Sequence, residues 1–135
     1  MVYLIDTNIF LEVLLGQPKA AICEKFLNKF YDESQPMIVS LFSVHSIFIN
    51  LINRKKFEKA ESFIAKLTKS GNILLYRDDA EDHFEIIDVC NKTGLDFDDG
   101  MQYYIAKRAG CKAIISYDSD FDNLEVKRKI PEEFL

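Results

Sequence analysis

The chain has 135 residues, 48% of them hydrophobic, which is enough for one domain that buries roughly two-thirds of its unfolded surface and too little for a second. A formal net charge of −5 excludes an overall basic footprint for nucleic acid, so any such partner has to meet a local basic patch. Cys23, Cys90 and Cys111 form no Cys-x-x-Cys pair, which argues against a zinc knuckle and a secreted disulfide framework.

The apolar start runs directly into Asp6, leaving no signal-peptide segment, and no stretch approaches the ~20 apolar residues of a membrane span. The expectation is a soluble, cytoplasmic protein without membrane contact. Val2–Ile5 reads as a short buried strand, and the segments through Leu15 and from Pro18 to about Tyr31 as helix. Met37–Val39 reads as the second strand. From Ser43 the spacing Val44, Ile47, Phe48, Leu51 is helical, and after Arg54-Lys55-Lys56 another helix turns Phe57, Ala60, Ile64 and Leu67 inward. Ile73–Leu75 is a third strand, Asp79–Cys90 a helix with Gly94 marking its end, and Gly100–Ala109 a helix that stops at Gly110. Ala113–Ile115 is a fourth strand, and a weak fifth lies within Glu125–Ile130. No repeat interrupts this alternation, which is the pattern of a single domain, residues 1–135, with a parallel sheet covered by helices on both faces.

In such a sheet the loops at the carboxyl ends of the strands line any site. Asp6 directly follows the first strand and Asp118 closely follows the fourth, so both fall at one edge. Asp99 lies at the start of the helix feeding the fourth strand, where the helix dipole favours negative charge. Each acid also has a local explanation. Asp6 in LIDTN suits an N-cap, Asp96, Asp98 and Asp99 in GLDFDDG suit a capping cluster, and Asp118, Asp120 and Asp122 in SYDSDFD suit turns. Joint placement at strand and helix ends favours a carboxylate cluster, and a hard divalent cation is the simplest remedy for its repulsion. Oxygen-only ligation favours Mg²⁺ or Mn²⁺ over zinc, and the reaction class that follows is metal-assisted phosphodiester hydrolysis. Thr7, Asn8 and Ser116 offer short polar side chains to fix the carboxylates.

Taken in order, LIDTN, FDDGMQYYIA and AIISYDSDF resemble the PIN-domain nucleases, many of which are VapC-type toxins of toxin–antitoxin pairs. The resemblance covers nearly the whole chain. It implies that Asp6, Asp99 and Asp118 are catalytic metal ligands, with Asp120 as an accessory ligand and Asp98 beside them. It further implies a three-layer α/β/α sandwich on a parallel, five-stranded sheet, dependence on Mg²⁺ or Mn²⁺, cleavage of single-stranded RNA, an antitoxin protein as partner, and homodimerisation. One departure stands out. The family usually carries a glutamate early in the helix after the second strand, whereas SLFSVHSIFINLINR has no acid and places His45 near the expected position. Histidine is an acceptable Mn²⁺ ligand and a general base near neutral pH, although a lone histidine on a helix is more often a hydrogen-bonded structural residue. Glu12, the other nearby acid, suits a solvated helix face.

Candidate phosphate contacts are Arg54, Lys55, Lys56 and Lys59, with Lys107, Arg108 and Lys112 as a second group. Tyr103 and Tyr104 suit base stacking or, more ordinarily for helical aromatics, the core. A haloacid-dehalogenase phosphatase is disfavoured because Asn8 stands where its second aspartate is required. A receiver domain fits loosely, since only one acid follows the first strand. The remaining alternative is a catalytically weak PIN-like module that binds RNA or a protein.

Overall fold

A computed structural model describes residues 1–135. In chain order the elements are β1 (Tyr3–Ile5), α1 (Thr7–Leu14), α2 (Ala20–Asp32), β2 (Met37–Ser40), α3 (Leu41–Asn53), α4 (Phe57–Lys69), β3 (Ile73–Tyr76), α5 (Ala80–Thr93), α6 (Phe97–Arg108), β4 (Ala113–Ile115) and β5 (Lys127–Lys129). Short 3₁₀ turns follow at Ser119–Phe121 and Pro131–Phe134. The five strands form one sheet in the order β3-β2-β1-β4-β5, and every neighbouring pair is parallel. The chain builds outward from β1 through β2 to β3, then crosses back to place β4 on the other side of β1. That reversal opens a crevice at the carboxyl ends of β1 and β4, where open parallel sheets bind their ligands.

Strand side chains alternate between the two faces. Tyr3, Ile5, Met37, Val39, Ala113 and Ile115 enter a core with α1 to α4, whereas Leu4, Ile38 and Ile114 enter a second core with α5 and α6. The three layers and the parallel five-stranded sheet agree with expectation, including the weak strand at Lys127–Lys129. This last strand reads Lys-Arg-Lys, charges that protect an exposed sheet edge from further pairing. No helix is long and apolar enough to cross a membrane.

Helix starts differ from the expected ones by a cap each. Ser40 accepts the amide of Ser43 at 3.0 Å, so α3 begins at Leu41. Asp79 accepts the amide of Asp82 as a cap, so α5 begins at Ala80. Asp96 accepts the amide of Asp99 at 2.9 Å, so α6 begins at Phe97. A side chain that satisfies the free amides of a first turn fixes the start at the residue directly after the cap.

Every residue from Gly100 to Ala106 is buried, so α6 lies embedded between the sheet and α5. Tyr103 and Tyr104 belong to this core, and Tyr104 donates from its hydroxyl to Asp82 at 2.6 Å, so neither presents a face for base stacking. Close approach of α5 requires Gly100, where an added Cβ would lie 2.3 Å from Cys90 Sγ. Alanine gains up to about 1 kcal/mol over glycine in a helix, while overpacking costs about 1–3 kcal/mol. Gly100→Ala is therefore expected to destabilise the protein in denaturant melts, yet to be neutral or stabilising in a Cys90→Ala background. Strictly additive effects would mean the contact does not limit the packing.

Candidate metal centre

The crevice gathers acids from three elements. Asp6 directly follows β1 and caps α1, its Oδ1 accepting the Thr7 amide at 2.8 Å. Asp99 stands in the first turn of α6, while Asp118 caps the 3₁₀ turn that contains Asp120 and accepts the Asp120 amide at 2.9 Å. Ligand oxygens of Asp99, Asp118 and Asp120 all lie within 4.8 Å of one another. Asp6 is outside that tightest group but is tied to it through Ser116. The Ser116 hydroxyl donates to Asp6 Oδ2 at 2.6 Å and accepts the Asp118 amide at 2.9 Å.

Full charges at such a separation repel by about 3.5 kcal/mol at an effective dielectric of 20. Burial and repulsion both favour the protonated acids. Burial first, then the neighbouring Asp118, Asp96, Asp6 and Asp120, push the Asp99 carboxyl up to about 7. Burial likewise raises Asp6, with Asp118 adding to it, although hydrogen bonds from Ser116, Gln102 and Thr7 pull the other way. An ionised carboxylate has about four acceptor positions. Three on Asp6 are filled by protein donors, leaving one for a cation.

The buried polar side chains of the protein are Asp6, Thr7, Ser40, Ser43, Gln102 and Ser116, and all of them join one hydrogen-bond network behind the acids. Gln102 Nε2 donates to Asp6 Oδ1 at 3.3 Å and to Ser43 Oγ at 3.0 Å. Ser40 Oγ donates to Ser43 Oγ at 3.0 Å, and Ser43 and Thr7 hydroxyls meet at 2.7 Å. One buried side-chain oxygen in this network has no partner, Gln102 Oε1. Carboxylate oxygens supported by hydroxyls and an amide, with an acceptor left open, suit a hydrated hard cation such as Mg²⁺ or Mn²⁺.

Of the residues chosen from sequence, Asp99, Asp118 and Asp120 converge, Asp6 adjoins them, and Thr7 and Ser116 lie in the network. Asn8 and Asp98 are exposed and form no side-chain hydrogen bond to the acids. His45 is exposed as well and stands apart from the acidic group. At 100° per residue it lies some 200° around α3 from Ser43, the residue that does face the site. Glu12 instead accepts the Lys19 amide at 2.7 Å, fixing the α1–α2 connection.

Arg54, Lys55 and Lys56 occupy the turn after α3. The Arg54 guanidinium donates to Asn50, and the turn is about 20 Å from Ser40 along the helix at 1.5 Å per residue. Lys107 pairs with Glu125 at 2.9 Å, at the opposite end of α6 from Asp99. Sequence reasoning missed Gln102, Ser40 and Ser43. The available signal for Gln102 was a lone amide within the apolar run GMQYYIA, three residues after Asp99 and hence on the same helical face.

The fold has close structural counterparts. A toxin–antitoxin complex from Klebsiella pneumoniae superposes with a TM-score of 0.74 at 15% identity, covering 96% of this chain and 97% of that one. VapBC2 from Rickettsia felis, bound to a DNA fragment from its promoter, gives 0.71 at 14% identity over 96% and 98% of the two chains. VapC20 from Mycobacterium tuberculosis, described as a sarcin-ricin loop cleaving toxin, gives 0.67 at 16% identity over 93% and 98%. No curated relative matches the chain. The sequence itself matches the PIN domain over residues 3–127, a span that contains every acid of the crevice. The chain belongs to the PIN-domain family.

Proposed function

We propose that this protein is a divalent-metal-dependent endoribonuclease that hydrolyses phosphodiester bonds of single-stranded RNA. The observation that carries the reading is the convergence of Asp99, Asp118 and Asp120 within 4.8 Å beside the buried Asp6. Asp6, Asp99 and Asp118 hold the cation in this reading, with Asp120 as a further ligand. A bound Mg²⁺ or Mn²⁺ supplies Lewis-acid polarisation of the phosphate and lowers the pKa of water. The chain supplies the orientation. Ser116 holds Asp6 and Asp118 in one register, and the Asp96 cap aims the start of α6 and its Asp99 carboxyl at the same point. Hydrolysis adds a water oxygen to phosphorus, breaks a P–O bond to a ribose oxygen and releases a proton. Burial and then the neighbouring acids raise the Asp99 carboxyl in the metal-free protein; as a ligand it would be held ionised, and the released proton would pass to solvent.

Arg54, Lys55 and Lys56 serve in this reading as phosphate contacts several nucleotides from the cut, and their contribution weakens with salt. Likeness to solved toxin–antitoxin complexes supports a toxin role with an antitoxin partner. Exposed Ile49, Ile52, Phe57, Phe84 and Ile87 offer apolar surface for that partner or for a homodimer. The second reading, a PIN module that binds RNA or protein with little catalysis, draws support from α3, which presents hydroxyls and no acid to the crevice. Incubation of labelled single-stranded RNA, duplex RNA and single-stranded DNA with Mg²⁺, Mn²⁺ or chelator separates the two. Metal-dependent cleavage confined to the single-stranded RNA is expected, and RNA binding without cleavage in either metal would favour the second reading.

A further inference from the structure

Gln102 is polar in a helix otherwise packed with apolar residues, and it is 2% exposed. Burial of an amide is unfavourable unless its hydrogen-bonding groups are satisfied. Only one end of this amide is. Nε2 donates to both Asp6 Oδ1 and Ser43 Oγ, which fixes the amide orientation, since turning it over would press Oε1 against an acceptor-only carboxylate. The fixed Oε1 is the buried side-chain oxygen without a partner. Gln102 also lies between two acids of the crevice, touching Asp6 directly and following Asp99 by three residues on one helical face. Its open acceptor therefore sits on a side chain in direct contact with one acid of the proposed metal centre.

We propose that Gln102 Oε1 accepts a hydrogen bond from a water in the hydration shell of the divalent cation. The residue thereby holds a position for hydrated Mg²⁺ or Mn²⁺ that the acids alone do not define. This inference rests on the reading of the acids as a metal centre. Mg²⁺ keeps several of its waters when bound, and their protons need acceptors beyond the ligating carboxylates. With no acid offered by α3, the Gln102 carbonyl is a neutral acceptor behind the cluster, and its amide is held in place by Ser43 of that helix. Outer partners of this kind commonly change metal affinity 10–100-fold when removed.

Calorimetric titration of the purified protein with MgCl₂ and with MnCl₂, read together with the melting temperature in chelator, tests the assignment without reference to catalysis. Gln102→Met preserves size but removes both ends of the amide, and it is expected to remain folded and to bind either metal about tenfold or more weakly. Gln102→Glu keeps an acceptor and removes the donor to Asp6. It is expected to melt lower in chelator, because a charge is added beside Asp6, while binding metal at least as tightly as wild type. Ser43→Ala removes one of the two acceptors of Nε2 but keeps its bond to Asp6 and the Oε1 acceptor itself, and should change affinity less than threefold.

Equal weakening in Gln102→Met and Gln102→Glu would assign the effect to the Nε2 bond with Asp6 and overturn the acceptor role. Unchanged affinity in Gln102→Met would remove Gln102 from the site while leaving the metal centre intact. Wild type that binds neither metal would overturn the inference and the metal-centre reading together. Wild type that binds metal but cuts no RNA would overturn only the nuclease reading.

Discussion

Asp6→Asn, Asp99→Asn and Asp118→Asn are each expected to lose at least a hundredfold of metal-dependent RNA cleavage while remaining folded. The substitution keeps side-chain shape and removes the charge that attracts the cation. Their structural costs differ. Asp6 accepts from Thr7, Gln102 and Ser116 inside a buried network, and an asparagine there turns an NH₂ toward at least one of those donors. Asp6→Asn should therefore also melt lower. Asp99 accepts no side-chain bond within the network and repels Asp118, Asp96, Asp6 and Asp120, so Asp99→Asn should melt no lower than wild type in chelator. Losses of activity should not add, because residues acting on one cation fail as a unit. A double variant slower by the product of the single losses would show that the two acids act independently.

The second large effect is on the pH dependence of the metal-free protein. Asp99 has a folded-state pKa of about 7 against an ordinary value of 3.8. Between these values the folded state holds a proton that the unfolded state has released. Stability therefore falls as pH rises from about 4 to about 7, and it levels off above. Asp82 acts in the opposite sense, held low chiefly by the Tyr104 hydroxyl, but its contribution is lost only as pH falls below about 4. Chelator melts across pH 4–8 should thus decline through neutrality in wild type and decline less in Asp99→Asn. Saturating Mg²⁺ or Mn²⁺ should cancel the decline. A cation that binds only the folded state adds about 2.7 kcal/mol at a hundredfold excess over its Kd. At this chain length that is on the order of 10 °C. A wild-type melt that is flat from pH 4 to 7 would show that burial and the neighbouring acids do not raise Asp99 as the geometry implies.

Periodicity and turn chemistry were enough to recover the five strands, the alternation with helices and the parallel sheet, because each of these is written in local spacing. Asp6 and Asp118 were legible for the same reason, each following a short apolar run that has to be a buried strand. Helix starts were less so. Ser40 and Asp96 each move a boundary upstream, and Asp79 moves one downstream by a residue, through one side-chain bond to an amide three residues on, and such a residue does not announce whether it caps or begins a helix. His45 illustrates a different limit. It lies close in sequence to the site-facing Ser43, but two residues along a helix is over half a turn away. Gln102 stands out in sequence only as a lone amide in an apolar run, because its partners Asp6 and Ser43 are 96 and 59 positions distant in the chain. Only the strand order, with β1 between β2 and β4, brings α1, α3 and α6 to one crevice.

The most direct test of the central claim is the cleavage rate of a labelled single-stranded RNA by wild type and Asp118→Asn, purified in parallel and titrated with Mg²⁺ and Mn²⁺ from chelator. Cleavage that is absent in chelator, appears with either metal over the range in which the same metal raises the wild-type melting temperature, and is lost in Asp118→Asn is the predicted result. Equal cleavage by wild type and Asp118→Asn, or none from wild type at metal concentrations that stabilise its fold, would contradict it.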